Sequence, residues 1–193
     1  MKYFLGALVV VLLMAGAFFG YRAGSNHKKT NPSSSPSASE STPSAGANIL
    51  DLSNKGLTKV TADIYNKTAT TDLILSNNSI KTLPSEMGRM TNLKVFKINN
   101  NVLEGSLIAE VRQMAKLQIL DVSNNNMTGM PAEIGQLSNL QTLNYCNNKI
   151  TGLPNELSKL RNSLKEFNLS GNPLSSEQIS KLKTELPNTT IIF

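Results

Sequence analysis

The chain has 193 residues, 39% hydrophobic and 17% charged, which suits one or two globular domains. One cysteine, one histidine (His27) and no tryptophan exclude an intramolecular disulfide framework and argue against a histidine-based zinc site or a histidine-dependent catalytic triad. Half of the net charge of +6 comes from residues 1–47 and half from residues 48–193, and Lys and Arg form no single stripe, so nucleic acid is not expected as a partner.

An uncharged apolar run from Tyr3 to Tyr21, bounded by Lys2 and Arg22, opens the chain. As a helix its nineteen residues extend roughly 28 Å, close to a bilayer core of about 30 Å. Residues 1–24 are therefore predicted to form an N-terminal transmembrane anchor or signal segment. The small residues 15–17 offer a cleavage site, but the run stays apolar beyond them, which favours a retained single-pass anchor. Secretion after cleavage is the alternative.

Residues 25–47 are rich in Ser, Pro and Thr and contain nothing from which to build a hydrophobic core. We expect a disordered, semi-extended linker in which His27 is solvated. The charges that flank the apolar run do not decide the membrane orientation. Linkers of this kind commonly separate an anchor from an exported domain, which favours an extracytoplasmic position for the rest of the chain.

Residues 48–193 repeat with a spacing of 23 or 24 residues. Six short apolar runs, starting at residues 50, 73, 96, 120, 143 and 167, are predicted strands whose middle residue faces a concave surface. An asparagine follows five of them at a fixed distance, and its donor and acceptor are expected to tie adjacent turns together as a buried ladder. The ladder positions are Lys55, Asn78, Asn101, Asn125, Asn148 and Asn172, with the lysine at a solvent-exposed end.

The second half of each repeat has apolar residues at helical spacing, often after a proline, as in the segments that begin at Leu83, Met130 and Leu153. This pattern predicts a short helical or 3-10 turn packed behind the strands. Residues 107–116, where Ile108 replaces the proline, are predicted to form a fuller helix. One inserted residue near positions 104–106 accounts for a 24-residue spacing.

The last residues predict a cap on the stack of repeats. An amphipathic helix is expected over residues 175–186, with Ser175 or Ser176 as its N-cap, Ile179, Leu182 and Leu186 inward, and Pro187 beyond its end. Ile191 and Phe193 are expected in a final strand, which makes seven stacked strands in all.

The segments LDLSNKGL, LILSNNSIKTLP, LDVSNNNMTGMPAEIGQL and LNYCNNKITGLPNEL resemble leucine-rich repeats of the typical 23-residue LPxEIGxL type, over nearly all of residues 48–193. The resemblance implies an α/β fold, a right-handed solenoid with a parallel sheet on its concave face and short helices or 3-10 turns on its convex face, preceded here by one N-terminal hydrophobic helix. It also implies binding to other proteins. The lack of cysteine-rich terminal caps favours a bacterial membrane protein over a disulfide-capped receptor.

The concave face is the predicted binding surface, because Ile74, Val95 and Ile119 are apolar at positions expected to face solvent. The alternative explanation is β-propensity alone or shielding by neighbouring side chains. Lys97 and Asp121 lie on adjacent strands, where an exposed ion pair can form. The predicted partner-binding residues are Ile74, Val95, Lys97, Ile119, Asp121, Thr142 and Asn144.

No catalytic residue, metal site or cofactor is predicted. Cys146 occupies a position where other repeats have serine, and no histidine in the repeats is available as its base. The expected function is a non-enzymatic protein–protein interaction module, membrane-tethered and displayed outside the cytoplasm. Binding of cell-wall or surface glycans, or adhesion, is the alternative, and the scarcity of concave aromatic residues disfavours it.

Overall fold

A computed structural model describes residues 46–193. The predicted N-terminal anchor or signal segment and nearly all of the predicted linker fall outside the described residues. Between residues 46 and 193, no helix is both long enough and apolar enough to cross a bilayer.

Seven short parallel strands form one sheet, as predicted, and each belongs to one coil of the chain. Each of the first six begins one residue earlier than the apolar run that predicted it. The seven strands are β1 (Ile49–Asp51), β2 (Asp72–Ile74), β3 (Val95–Lys97), β5 (Ile119–Asp121), β7 (Thr142–Asn144), β8 (Glu166–Asn168) and β9 (Thr190–Ile192). The short strands β4 (Glu104–Gly105) and β6 (Asn126–Met127) pair with each other in a second, two-stranded sheet. Gly105 in β4 has a positive φ and lies where the inserted residue is predicted.

The segments behind the strands are short helices, as predicted. They are α1 (Ala62–Tyr65) and the 3-10 helices Ser85–Arg89, Ala109–Gln113, Ala132–Gln136 and Asn155–Leu160. The fuller helix expected over residues 107–116 is wrong. Ile108 has φ −63° and ψ 143°, close to Pro84 with φ −74° and ψ 148°, so the chain enters both 3-10 helices in the same extended conformation. Stacking against equivalent neighbours imposes the same short turn on each coil.

One continuous apolar core fills the space between the sheet and the short helices. The inward side chains of the five inner strands are almost completely buried, with Leu73 and Leu143 at 0% exposure and Phe96 at 1%, whereas Leu50 and Ile191 in the end strands are half-buried. Residues of the 3-10 helices, such as Met87 and Ile134, close the core from behind. Burial of this row from every coil is the main stabilising contribution.

The predicted asparagine ladder is present. In Asn125 the side-chain Nδ2 donates to the carbonyl oxygens of Val122 at 3.0 Å and of Ile98, in the preceding coil, at 3.2 Å. The Asn125 Oδ1 accepts from the backbone N–H of Leu103 at 2.9 Å. At the open end the ladder begins with Asn78, whose Oδ1 accepts from the backbone N–H of Lys55 at 3.0 Å.

A second row of asparagines, one residue before each ladder position, has positive φ and was not anticipated from the sequence. The row consists of Asn54, Asn77, Asn100, Asn124 and Asn147, with φ between 52° and 57°, and ends at Gly171 with φ 73°. Glycine adopts this conformation freely, and asparagine is the side chain that tolerates it best. The asparagine doublets in the sequence therefore encode a turn residue followed by a ladder residue.

The C-terminal cap is an α-helix, α2 (Ser176–Glu185), as predicted. Ser175 is its N-cap: the Gln178 backbone N–H donates to Ser175 Oγ at 3.2 Å, and the Ser175 N–H donates to Gln178 Oε1 at 2.9 Å. Leu182 and Leu186 are buried against the core, at 2% and 1% exposure. This capping box closes the helix start, and the apolar stripe seals the last coil.

The final strand pairs Ile191 with Phe167 in the expected register. Phe193 was expected in this strand, but it lies beyond β9 and is 41% exposed. Its ring lies under Lys183, with Nζ 5.2 Å from the ring centroid. The residue is therefore held by a surface cation–π contact and not by the core.

Candidate partner-binding surface

Strand register brings the seven predicted binding residues together in two adjacent rows on the outer face of β2, β3, β5 and β7. All seven are half-buried. The first row of the sheet reads Asp72, Val95, Ile119, Thr142 and Glu166, and the second reads Ile74, Lys97, Asp121, Asn144 and Asn168.

An apolar cluster of Ile74, Val95 and Ile119 lies in these rows. Val95 and Ile119 are direct partners on β3 and β5, whose backbones are about 4.8 Å apart, and Ile74 is on the neighbouring strand β2. The strand residues between the two rows, such as Phe96 and Leu120, point inward and are at most 1% exposed. The cluster therefore faces away from the core, where neighbouring side chains cover part of it and the rest meets solvent.

The ion pair expected between Lys97 and Asp121 does not form, although the two residues are direct partners on β3 and β5. The Asp121 carboxylate accepts instead from Ser123, at 3.0 Å from the backbone N–H and 2.6 Å from the hydroxyl. The ion pairs among residues 46–193 all lie elsewhere, at Lys81–Glu104, Arg112–Glu133 and Lys181–Glu185. Lys97 thus presents a positive charge on the concave face without a carboxylate partner in the described chain.

The same local turn fixes other acceptors at the ends of the strands, and the sequence signal for it is Asp or Asn followed two residues later by Ser or Cys. Asn168 accepts from Ser170 at 3.0 Å (N–H) and 2.7 Å (hydroxyl). Asp51 accepts from Ser53, and these hydrogen bonds lower the pKa of the Asp51 carboxyl. Such Asx turns hold the oxygens at one edge of the concave face in place.

Asn144 and Cys146 form the equivalent turn after β7. The Cys146 backbone N–H donates to Asn144 Oδ1 at 3.1 Å, so the cysteine takes the position that serine has in the equivalent turns. Burial raises the pKa of the Cys146 thiol, the opposite of what an activated nucleophile requires. No cluster of three or more metal-ligating side chains occurs within residues 46–193.

Comparison with known proteins agrees with this geometry. A family model described as leucine rich repeat matches residues 115–174. The chain is similar to a leucine-rich-repeat protein of Leptospira interrogans, with 28% identity and a TM-score of 0.57 over 70% of this chain and 40% of that one. It is also similar to the ectodomain of the plant membrane receptor kinase GASSHO1/SCHENGEN3 of Arabidopsis thaliana, with 27% identity and a TM-score of 0.62 over 74% and 17% of the two chains.

A curated relative is an adenylate cyclase of Neurospora crassa, 40% identical over 57 residues. These residues are 30% of this chain and 2% of the cyclase, so the match gives no ground for transferring the cyclase activity. The chain likewise spans less than half the length of the two structural neighbours. Strand register, asparagine ladder and these similarities together identify the described part of the chain as a leucine-rich-repeat fold.

Proposed function

We propose that the repeat domain is a non-enzymatic protein–protein interaction module that binds its partner on the concave face. The observation that carries the proposal is the solvent-facing apolar cluster of Ile74, Val95 and Ile119, bordered by the charges of Lys97 and Asp121. An apolar centre with a polar rim is the usual composition of a protein interface. The leucine-rich-repeat ectodomain of the receptor kinase HAESA, 26% identical, was solved with a peptide hormone ligand, which supports a peptide or protein segment as the partner.

The dimensions of the sheet suit an extended segment. Seven strands at about 4.8 Å spacing extend roughly 30 Å, the length of about nine extended residues. An apolar side chain of the partner would cover Val95 and Ile119, and an acidic group would meet Lys97. Thr142 and Asn144, on the next strand, provide polar groups for the rim of the contact.

Introducing negative charge into the apolar cluster tests this surface. Val95→Asp together with Ile119→Asp is expected to abolish capture of the partner by the immobilised repeat domain from extracts of the source cells, because both changes put carboxylates into the apolar contact. The matched control is Val102→Asp, since Val102 is 41% exposed and lies outside the concave rows. Circular dichroism checks that all variants remain folded.

Two results would count against the concave site. If the double variant captures the partner as well as Val102→Asp does, binding takes place on another surface. If the wild-type domain retains a purified cell-wall glycan and no protein, the glycan-binding alternative is correct. The residues of the two concave rows include no aromatic side chain for sugar stacking, which is why a protein partner is preferred.

We also propose that the domain is tethered to a membrane by a single N-terminal span and displayed outside the cytoplasm of a bacterial cell. The support is the uncharged run from Tyr3 to Tyr21, followed by the linker sequence 25–47. Membrane fractionation combined with protease treatment of intact cells tests this. Release of the repeat domain from the membrane fraction is expected. A shorter soluble product would indicate signal cleavage, and protection from protease would place the domain inside.

A further inference from the structure

The coils of the domain place much of its positive charge on one side. Five segments run from the last residues of the short helices to the next strand: residues 66–71, 89–94, 112–118, 136–141 and 159–165. Arg89, Arg112 and Lys159 lie within 3-10 helices, which carry Glu86, Glu110 and Glu156 in their first turns. The five segments contain eight of the fifteen Lys and Arg residues of positions 48–193 and no Asp or Glu. We call this side the basic flank; its cations, all exposed, are Lys67, Arg89, Lys94, Arg112, Lys116, Lys159, Arg161 and Lys165.

Contacts between coils show that the five segments stack against one another. The Lys94 N–H donates to the carbonyl of Thr71 at 2.7 Å, and the Gln118 N–H donates to the carbonyl of Lys94 at 2.8 Å. Further hydrogen bonds of 2.8 Å continue this series through Gln141 to Lys165. The expectation that Lys and Arg form no single stripe is therefore only partly right. The fold collects eight of them on one flank, in two groups separated by the uncharged segment 136–141.

Little of this charge is neutralised within the domain. Among the described residues, Arg112 is the one cation of the flank in an ion pair, 3.8 Å from Glu133 Oε1. Lys116 Nζ donates instead to the uncharged Asn92 side chain at 2.8 Å. The acidic row of the 3-10 helices, to which Glu133 belongs, borders the flank on the convex side and is half-buried. An accumulation of exposed like charges produces an extended positive potential.

We propose that the basic flank docks the repeat domain on an anionic membrane surface by contact with phosphate-bearing lipid headgroups. The cations are spread over several coils, which suits a layer of charge better than one shaped ligand. The five segments contain no aromatic residue for base stacking, which disfavours single-stranded nucleic acid. None of the eight cations belongs to the two concave rows, although Lys94 directly precedes Val95 and the flank therefore borders the first row.

This inference rests on the proposed membrane tether, which would bring the domain next to a lipid surface. The proposed linker 25–47 has 23 residues, whose greatest possible span is about 80 Å, so the proposed tether would keep the domain in the neighbourhood of the bilayer. At the resulting high local concentration, weak contacts by single cations add up. Contact between flank and headgroups would then fix the orientation of the domain relative to the membrane.

Vesicle sedimentation of residues 42–193, the compact unit without the apolar run, tests the flank by itself. Binding is expected to vesicles that contain phosphatidylglycerol, to be absent with phosphatidylcholine alone, and to weaken with added salt. Each basic residue near an anionic surface contributes about fivefold in partitioning, so four substitutions are expected to weaken binding by on the order of 100-fold or more. The flank variant is Arg89→Gln, Lys94→Gln, Arg112→Gln and Lys116→Gln.

A matched control removes four exposed lysines from the loops that follow the strands, and therefore changes the net charge equally. The control variant is Lys55→Gln, Lys59→Gln, Lys81→Gln and Lys149→Gln. It is expected to keep vesicle binding within a few-fold of the wild-type domain. Circular dichroism confirms that both variants are folded.

Three outcomes would overturn the proposal: no binding of the wild-type domain to anionic vesicles, equal losses in the two variants, or displacement from vesicles by stoichiometric single-stranded RNA. The third would identify nucleic acid as the occupant. Failure of the proposed function is recognised separately. Partner capture depends on Val95 and Ile119 and is expected to survive the flank substitutions, and the tether is tested by membrane fractionation of the full chain.

Discussion

Replacing Tyr145 with phenylalanine is expected to increase the free energy of unfolding of the repeat domain. Tyr145 lies in the inward row of the core, where the preceding coils have Leu75, Ile98 and Val122, and it is 0% exposed. Its hydroxyl makes no hydrogen bond with any group in the described part of the chain. On folding, the Tyr145 hydroxyl therefore loses its hydrogen bonds to water and forms none with the described part of the chain.

The size of the effect follows from this environment. An unpaired buried hydroxyl costs about 1–3 kcal/mol. Removing one oxygen atom from a packed core leaves a small void, which takes back part of that gain. We expect Tyr145→Phe to stabilise the domain by about 1 kcal/mol, which at this domain size raises the melting temperature by roughly 3 °C.

The effect also depends on pH. Burial raises the pKa of the Tyr145 phenol well above its ordinary value, because the phenolate would lose its hydration. An unfolded tyrosine releases its proton above a pH of about 10, whereas folded Tyr145 keeps it, so the wild-type domain loses about 1.4 kcal/mol of stability per pH unit above that point. The advantage of Tyr145→Phe is therefore expected to grow from about 1 kcal/mol at neutral pH to about 2.5 kcal/mol near pH 11.

Urea denaturation followed by circular dichroism, at neutral pH and near pH 11, measures both quantities. The control is Tyr65→Phe, at a half-buried position in α1, with an expected change within about 0.5 kcal/mol at neutral pH. If Tyr145→Phe destabilises the domain at neutral pH, the hydroxyl has a partner and the reasoning fails. If the difference from wild type is the same at both pH values, the phenol titrates alike in folded and unfolded chains.

Asn125→Ala is expected to lower the free energy of unfolding by about 3–5 kcal/mol, because buried backbone groups of two coils lose their partners. Asn139→Ala removes one exposed hydrogen bond and is expected to cost less than about 1 kcal/mol; equal costs in urea denaturation would contradict the ladder. Gly135→Ala is expected to destabilise the domain, because the new Cβ would collide with the backbone carbonyl of Glu156 in the next 3-10 helix. Gly129→Ala has room for its Cβ, so its melting temperature is expected to stay close to that of the wild-type domain. If Gly129→Ala melts at a lower temperature than Gly135→Ala, the argument is refuted.

Much of the fold was predictable because each coil contacts only its neighbours. The spacing of 23 or 24 residues gave the correct number of strands in the seven-stranded sheet, but not β4 and β6, and placed Leu73, Phe96 and Leu120 in register on the inward face. The same spacing identified the ladder asparagines, and Ser175 was one of two predicted N-caps. These features depend on short-range pattern and on stacking of equivalent positions, which a repeated sequence displays directly.

Other features depend on which of two competing contacts a side chain makes, and the spacing of residues in the sequence does not show which contact is more favourable. Asp121 faces Lys97 across two strands, as predicted, but Ser123 is two residues away and its hydroxyl reaches the carboxylate at 2.6 Å. The nearby donor costs less side-chain entropy than a long lysine held in one position. Helix length between residues 107 and 116 was also mispredicted, because the neighbouring coils restrict each segment to one short turn.

By itself, the sequence determined the repeat period, the strands, the ladder and the two rows of the concave face. The tertiary structure alone decided which charges from different coils share a side of the domain. Lys94 and Lys165 share one repeat position, directly before β3 and β8, whereas Lys116 has another, and the fold brings all three to one flank. The physical reason is that periodicity fixes what stacks along a row, whereas the path of the irregular segments between helix and strand is set by the packing of all coils together.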